Sequence, residues 1–128
     1  PMGIVAVLVA AIASYAWGSV WYMKMAQPWM AANGLTEESI DRKNPVPYVV
    51  SFVATVVVAG MMRHILVMGG IKGPFAALVT GLGLGAFIAA PWIVTNYSFA
   101  GRPRNLMFID GTYAVVGCAI MGLVLGLF

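Results

Sequence analysis

YVVSFVATVVVAGMMRHILVMG, Tyr48 to Gly69, decides the fold. It is 22 residues of almost unbroken apolar sequence, with Arg63 and His64 set into its last third. A run of about 20 apolar residues is the length an α-helix needs to cross the hydrocarbon of a bilayer. Three more such runs occupy residues 3–23, 74–95 and 105–127, so four of them take up most of the 128-residue chain. Only helices and closed barrels satisfy the backbone in lipid, and four segments cannot close a barrel. The fold class is therefore all-α: one domain over residues 1–128, four transmembrane helices in a compact bundle.

Composition supports lipid as the solvent. Only 9% of residues are charged, against about 25% in an ordinary soluble domain. A soluble bundle needs a polar face on every helix, and these segments have none. The net charge of +3 does not point to nucleic acid, because the basic residues are scattered at segment ends. Cys118 is the one cysteine, which excludes an internal disulfide and any multi-cysteine metal site. The first run is expected to be a retained span and not a leader: no Lys or Arg precedes it, and it continues to Tyr22.

The connections differ in character. Lys24 to Pro47 is long and holds most of the charge. Within it, Pro28 can start a short interfacial helix that Gly34 ends, with Trp29 suited to the headgroup level. Thr36 can cap a second short helix in which Glu38 reaches Arg42, with Asn44-Pro45 and Pro47 stopping it before the second span. GGIKGP (69–74) is a tight turn, and NYSFAGRPR (96–104) a short polar loop. Lys24, Arg42, Lys43, Arg102 and Arg104 fall on the side of the first and third loops; Arg63 and Lys72 fall on the other. The positive-inside rule then puts those two loops in the cytoplasm and both termini outside.

Every span has small residues four positions apart: Ala6, Ala10, Ser14, Gly18; Ser51, Thr55, Ala59; Ala77, Gly81, Gly85, Ala89; Ala114, Cys118, Gly122, Gly126. Such stripes let helix backbones approach where lipid gives no hydrophobic drive for association. They can face a neighbour in the same chain or a second copy.

Polar residues inside the spans are the candidate site. Arg63 is close enough to its helix end to snorkel to the interface, and continues the stripe of the second span, so a ligand-facing role is its alternative. His64, Met61 and Met68 share one helix face. They read first as an interfacial histidine with packing methionines, and second as a soft set for Cu(I) or a haem ligand. Asp110 lies about 9 Å into the fourth span and needs a partner, for which Lys24, Arg102 or Arg104 is within reach. Tyr15, Ser19 and Tyr22 recur on one face of the first span beside Trp17 and Trp21. That pattern is an aromatic belt, or the wall of a pocket floored by Asp110, Tyr113 and Asn96. No nucleophile–base pair, carboxylate dyad, zinc spacing or phosphate loop is present, so neither an enzyme nor a cofactor is indicated.

WGSVWYMKMAQPWMAANGLTEESI (Trp17–Ile40) and GRPRNLMFIDGTYAVVGCAIMGLVLG (Gly101–Gly126) resemble a family of small bacterial inner-membrane proteins known only as a domain of unknown function. The resemblance covers essentially the whole chain and rests on Trp17-Gly18, Trp21-Tyr22, Trp29, Gly34-Leu35-Thr36, Asp110 and the run from Tyr113 to Gly126. It implies a four-span protein of the bacterial inner membrane and brings no activity, substrate or cofactor. Three functions follow in order: an oligomeric bundle that binds or transports a small molecule or ion near Asp110; an accessory or assembly subunit of a larger membrane complex; and a haem or copper protein built on His64.

Overall fold

The computed structural model describes residues 2–128; Pro1, counted in the single domain above, lies outside them. Among the described residues the chain is helix and connection only. Helix α1 spans Met2–Lys24, α2 Ala26–Ala32, α3 Val46–Met68, α4 Pro74–Phe99 and α5 Arg104–Gly126. Four of them, all but α2, are long and apolar enough to cross a membrane. The bundle thus has a termini end, with the α3–α4 turn, and a first-loop end, with α2 and the α4–α5 connection.

The boundaries follow local chemistry. Gly70 (φ +63°) ends α3, and Ile71 N–H reaches back to the Leu66 carbonyl (2.9 Å). Gly101 (φ +68°) ends α4, where Arg102 N–H bonds the Tyr97 carbonyl (2.9 Å). Both are left-handed C-caps, a conformation that glycine adopts without steric cost. Four expectations change. α4 runs to Phe99, four residues beyond the predicted end, so Asn96 to Phe99 are helical and the third loop is only Ala100–Pro103. Thr36 to Ser39 form one turn closed by reciprocal bonds (Thr36 N–H to Ser39 Oγ, 2.8 Å; Ser39 N–H to Thr36 Oγ1, 3.2 Å) and no helix, since that acidic stretch has no apolar face to bury. Arg42 pairs with Glu37 (3.0 Å), not with Glu38. Pro47 does not precede α3 but sits in its first turn, where a missing N–H costs nothing.

The small-residue stripes meet inside the chain. A Cβ on Gly81 would overlap the Cys118 carbonyl, and one on Gly122 the Ala77 carbonyl. α4 and α5 therefore touch backbone to backbone. α1 and α5 run antiparallel and are joined by three side-chain donors. Ser14 Oγ, Trp17 Nε1 and Trp21 Nε1 donate to the carbonyls of Gly117 (3.1 Å), Tyr113 (3.1 Å) and Ile109 (2.9 Å). The donors follow helical spacing and the acceptors step back by four, so one face of α1 bonds one face of α5. The two indoles stack at 5.4 Å. They are interhelical donors as well as interface aromatics.

Packing divides the bundle by height. The contiguous core (Ala6, Ala10, Ala59, Met62, Leu66, Ala77, Met121 and Leu125 among others) lies in the termini half. In that half α1, α3, α4 and α5 close on one another. Toward the first-loop end α3 and α4 flank the α1–α5 pair without sealing, and α2 with its following loop covers the opening.

Candidate functional site

The unsealed half encloses a cavity of ≈680 Å³ lined by all four long helices, α2 and Ile40 to Arg42. That is a usual volume for a small-molecule pocket. All five tyrosines of the chain line it: Tyr15 and Tyr22 from α1, Tyr48 from α3, Tyr97 from α4 and Tyr113 from α5. Trp29 from α2 completes the aromatic wall.

Asp110 is the carboxylate in this cavity that lies within a span. Its Oδ1 accepts from the Tyr22 hydroxyl and its Oδ2 from the Tyr97 hydroxyl (2.5 Å). The cations expected to pair with it do not. Arg102 donates instead to Asn33 Oδ1, tying the α4–α5 connection to the end of α2 and helping to close the cavity roof. Among the described residues the one ion pair is Arg42–Glu37, at the exposed rim. The reason is position: Arg102 follows the cap of α4 and is carried toward the loop layer, while Asp110 lies two turns inside α5. The carboxylate thus has two phenol donors and no cation beside it, an arrangement that is costly in a membrane segment unless it is used.

The aromatic groups are held in place by other contacts. Tyr15 Oη bonds the Tyr48 carbonyl and Ser51 Oγ (3.1 Å each). The Tyr22 and Tyr113 rings lie 5.1 Å apart, and Tyr22 meets Trp29 edge-on at 6.4 Å. Gly18 makes the room for Tyr113: a Cβ there would stand 2.6 Å from Tyr113 Cε1. The small stripe of α1 therefore ends at the site and shapes it.

Of the residues expected in this pocket, Asp110, Tyr113, Tyr22, Tyr15 and Ser19 line it. Ser19 gives its hydroxyl hydrogen back to the Tyr15 carbonyl (3.1 Å). Asn96 does not line it; it is exposed on the outer face of α4, and its neighbour Tyr97 takes the inward position. Tyr97, Tyr48 and Trp29 also line it: by sequence alone Tyr97 falls in a loop, Trp29 at the headgroups, and Tyr48 has no role beyond opening the second span.

Arg63 lies at the other end. Its guanidinium rests over Gly3, where a Cβ would be 2.8 Å from Cζ, beside a groove between α1 and α3 that His64 also borders. His64, Met61 and Met68 face outward, Met61 58% and Met68 74% exposed. Among the described residues no three His, Cys, Asp or Glu side chains gather as a metal site.

No curated protein and no solved structure matches the chain. Residues 5–126 match the family described as "Protein of unknown function (DUF1761)", and with nearly the whole chain covered, the protein belongs to that family.

Proposed function

We propose that this protein binds a small solute in the cavity around Asp110 and moves it across the bacterial inner membrane, working as a homo-oligomer. One observation carries the reading: a carboxylate with no cationic partner, inside a membrane span, opening on a cavity large enough for a ligand. The packed termini half closes the cavity on one side, so the solute enters from the first-loop end. Lys24, Arg42, Lys43, Arg102 and Arg104 cluster at that end, which makes it the cytoplasmic side and leaves both termini periplasmic.

Native mass spectrometry of protein released gently from its own host membrane tests this. The expected result is a defined homo-oligomer carrying a small molecule, and loss of that molecule from Asp110→Asn with the oligomer intact. Full retention by Asp110→Asn overturns the role of the carboxylate. A stoichiometric foreign subunit with no small molecule overturns transport and makes this an accessory protein of a larger complex.

A further inference from the structure

We infer that the cavity around Asp110 is selective for an organic ammonium ion, held by the carboxylate and by the aromatic rings that surround it. The inference rests on reading the cavity as a ligand site, and adds the sign and shape of the ligand.

The sign comes from charge accounting over the cavity wall. Asp110 accepts two phenol hydrogens and no cation. Asp41 adds a second negative charge at the rim. Arg42 is the one cation lining the cavity, and Glu37 already neutralises it at 3.0 Å. What remains is net negative, in a setting of low dielectric where an uncompensated charge attracts its opposite strongly.

The chemical class comes from how the tyrosines use their hydroxyls. Those of Tyr22 and Tyr97 bond Asp110, and that of Tyr15 bonds Tyr48 and Ser51. With these three polar tips committed to the protein, Tyr15, Tyr22 and Tyr97 offer a ligand mainly ring surface. Ring surface favours a cation through its quadrupole, and a carboxylate beside several rings is the constellation that recognises ammonium groups. A sugar or another polyhydroxyl solute would have to compete with the protein for the hydroxyls of Tyr15, Tyr22 and Tyr97.

Size removes the bare metal ion. A metal needs several oxygen or nitrogen ligands converging within about 2.5 Å. The cavity holds ≈680 Å³, and among the described residues no three acidic, histidine or cysteine side chains gather. An alkylated ammonium, weakly hydrated and apolar on its outside, suits a wide aromatic space better than a strongly hydrated inorganic ion.

The test uses the full chain in a maltoside detergent, free of choline headgroups, with binding followed by calorimetry and by tryptophan fluorescence, since Trp29 lines the cavity. The probes are choline, tetraethylammonium, and 3,3-dimethylbutan-1-ol, the neutral carbon isostere of choline. The expected result is saturable binding of both cations, with the neutral isostere weaker by about tenfold or more. Asp110→Asn should abolish that preference, and Tyr97→Leu should weaken cation binding where Tyr97→Phe keeps most of it. The comparison of choline with its isostere on the unaltered protein needs no variant, so a folding defect cannot obscure it. Equal binding of choline and isostere overturns the cation class and leaves the cavity a ligand site. So does a response to sodium or potassium alone, or a neutral or anionic molecule retained in native mass spectra. If no probe binds and nothing is retained, both the ammonium class and the ligand site fall.

Discussion

Asp110 shows how a single side chain changes meaning between sequence and fold. In the sequence it is a carboxylate in want of a cation, and three basic residues expected at the same end of the bundle are within reach to serve. In the fold its two oxygens are taken by Tyr22 and Tyr97, which stand 88 and 13 positions away. The indoles of Trp17 and Trp21 are a parallel case. Their place near a helix end reads as an aromatic belt, yet their N–H groups bond the carbonyls of Tyr113 and Ile109. Those carbonyls also serve the ladder of α5, so each indole bond is an addition and not a replacement. Trp21→Phe is therefore expected to cost about 0.6 kcal/mol and under about 2 kcal/mol, the range of side-chain bonds between membrane helices. Reversible unfolding in mixed micelles measures it; a loss well above that range would mean the indole also shapes the site. Gly18→Leu should lower affinity for any ligand of the cavity more than it lowers stability, because its side chain enters the space of Tyr113. Ligand titration beside a thermal melt separates the two effects.

At the scale of the element, α4 explains the exchange of Asn96 for Tyr97. Gly85–Ala89 is a π-helical turn, placed just before Pro91, whose ring nitrogen cannot donate to the preceding turn. An α-helix advances about 100° per residue, so in unbroken register Asn96 would lie about 20° from the direction of Gly85 and Tyr97 about 120° from it. The π turn acts as one inserted residue and rotates everything after it. Tyr97 then takes the 20° position, on the face that Gly85 turns toward α5, and Asn96 moves out. Asn96→Ala should accordingly leave choline affinity unchanged, while Tyr97→Leu weakens it by about tenfold; calorimetry on the two variants decides. The glycines of α4 and α5 give a second contrast. Gly122→Ala on α5 would press a methyl into the Ala77 carbonyl and force α4 away, with an expected cost of about 1–3 kcal/mol or more. Gly83→Ala on α4 meets open space and should stay within about 0.5 kcal/mol of the parent protein. Equal stability of the two variants would show that the α4–α5 contact has room to relax.

For the whole molecule, the division into a packed half and an open half is the main result. The packed half is built from alanine, glycine and a few large aliphatic side chains, which let four helices converge. The open half carries all five tyrosines, which line its cavity. The proposed orientation puts the first-loop end, which holds five of the seven Lys and Arg, in the cytoplasm. Alkaline phosphatase fused after Phe128 should be active and a fusion within residues 35–44 inactive. The reverse pattern would place the mouth of the cavity in the periplasm.

The four helices, their extents to within a few residues and the small stripes that join them were determined by the sequence itself. Hydrophobic length is a property of the chain alone, since lipid demands about 20 apolar residues whatever the neighbours are. Which stripe meets which, what bonds Asp110 and which of two adjacent residues lines the cavity were decided only by the tertiary structure. Those depend on rotation about helix axes, and one π turn in α4 is enough to exchange an outward-facing asparagine for a cavity-facing tyrosine.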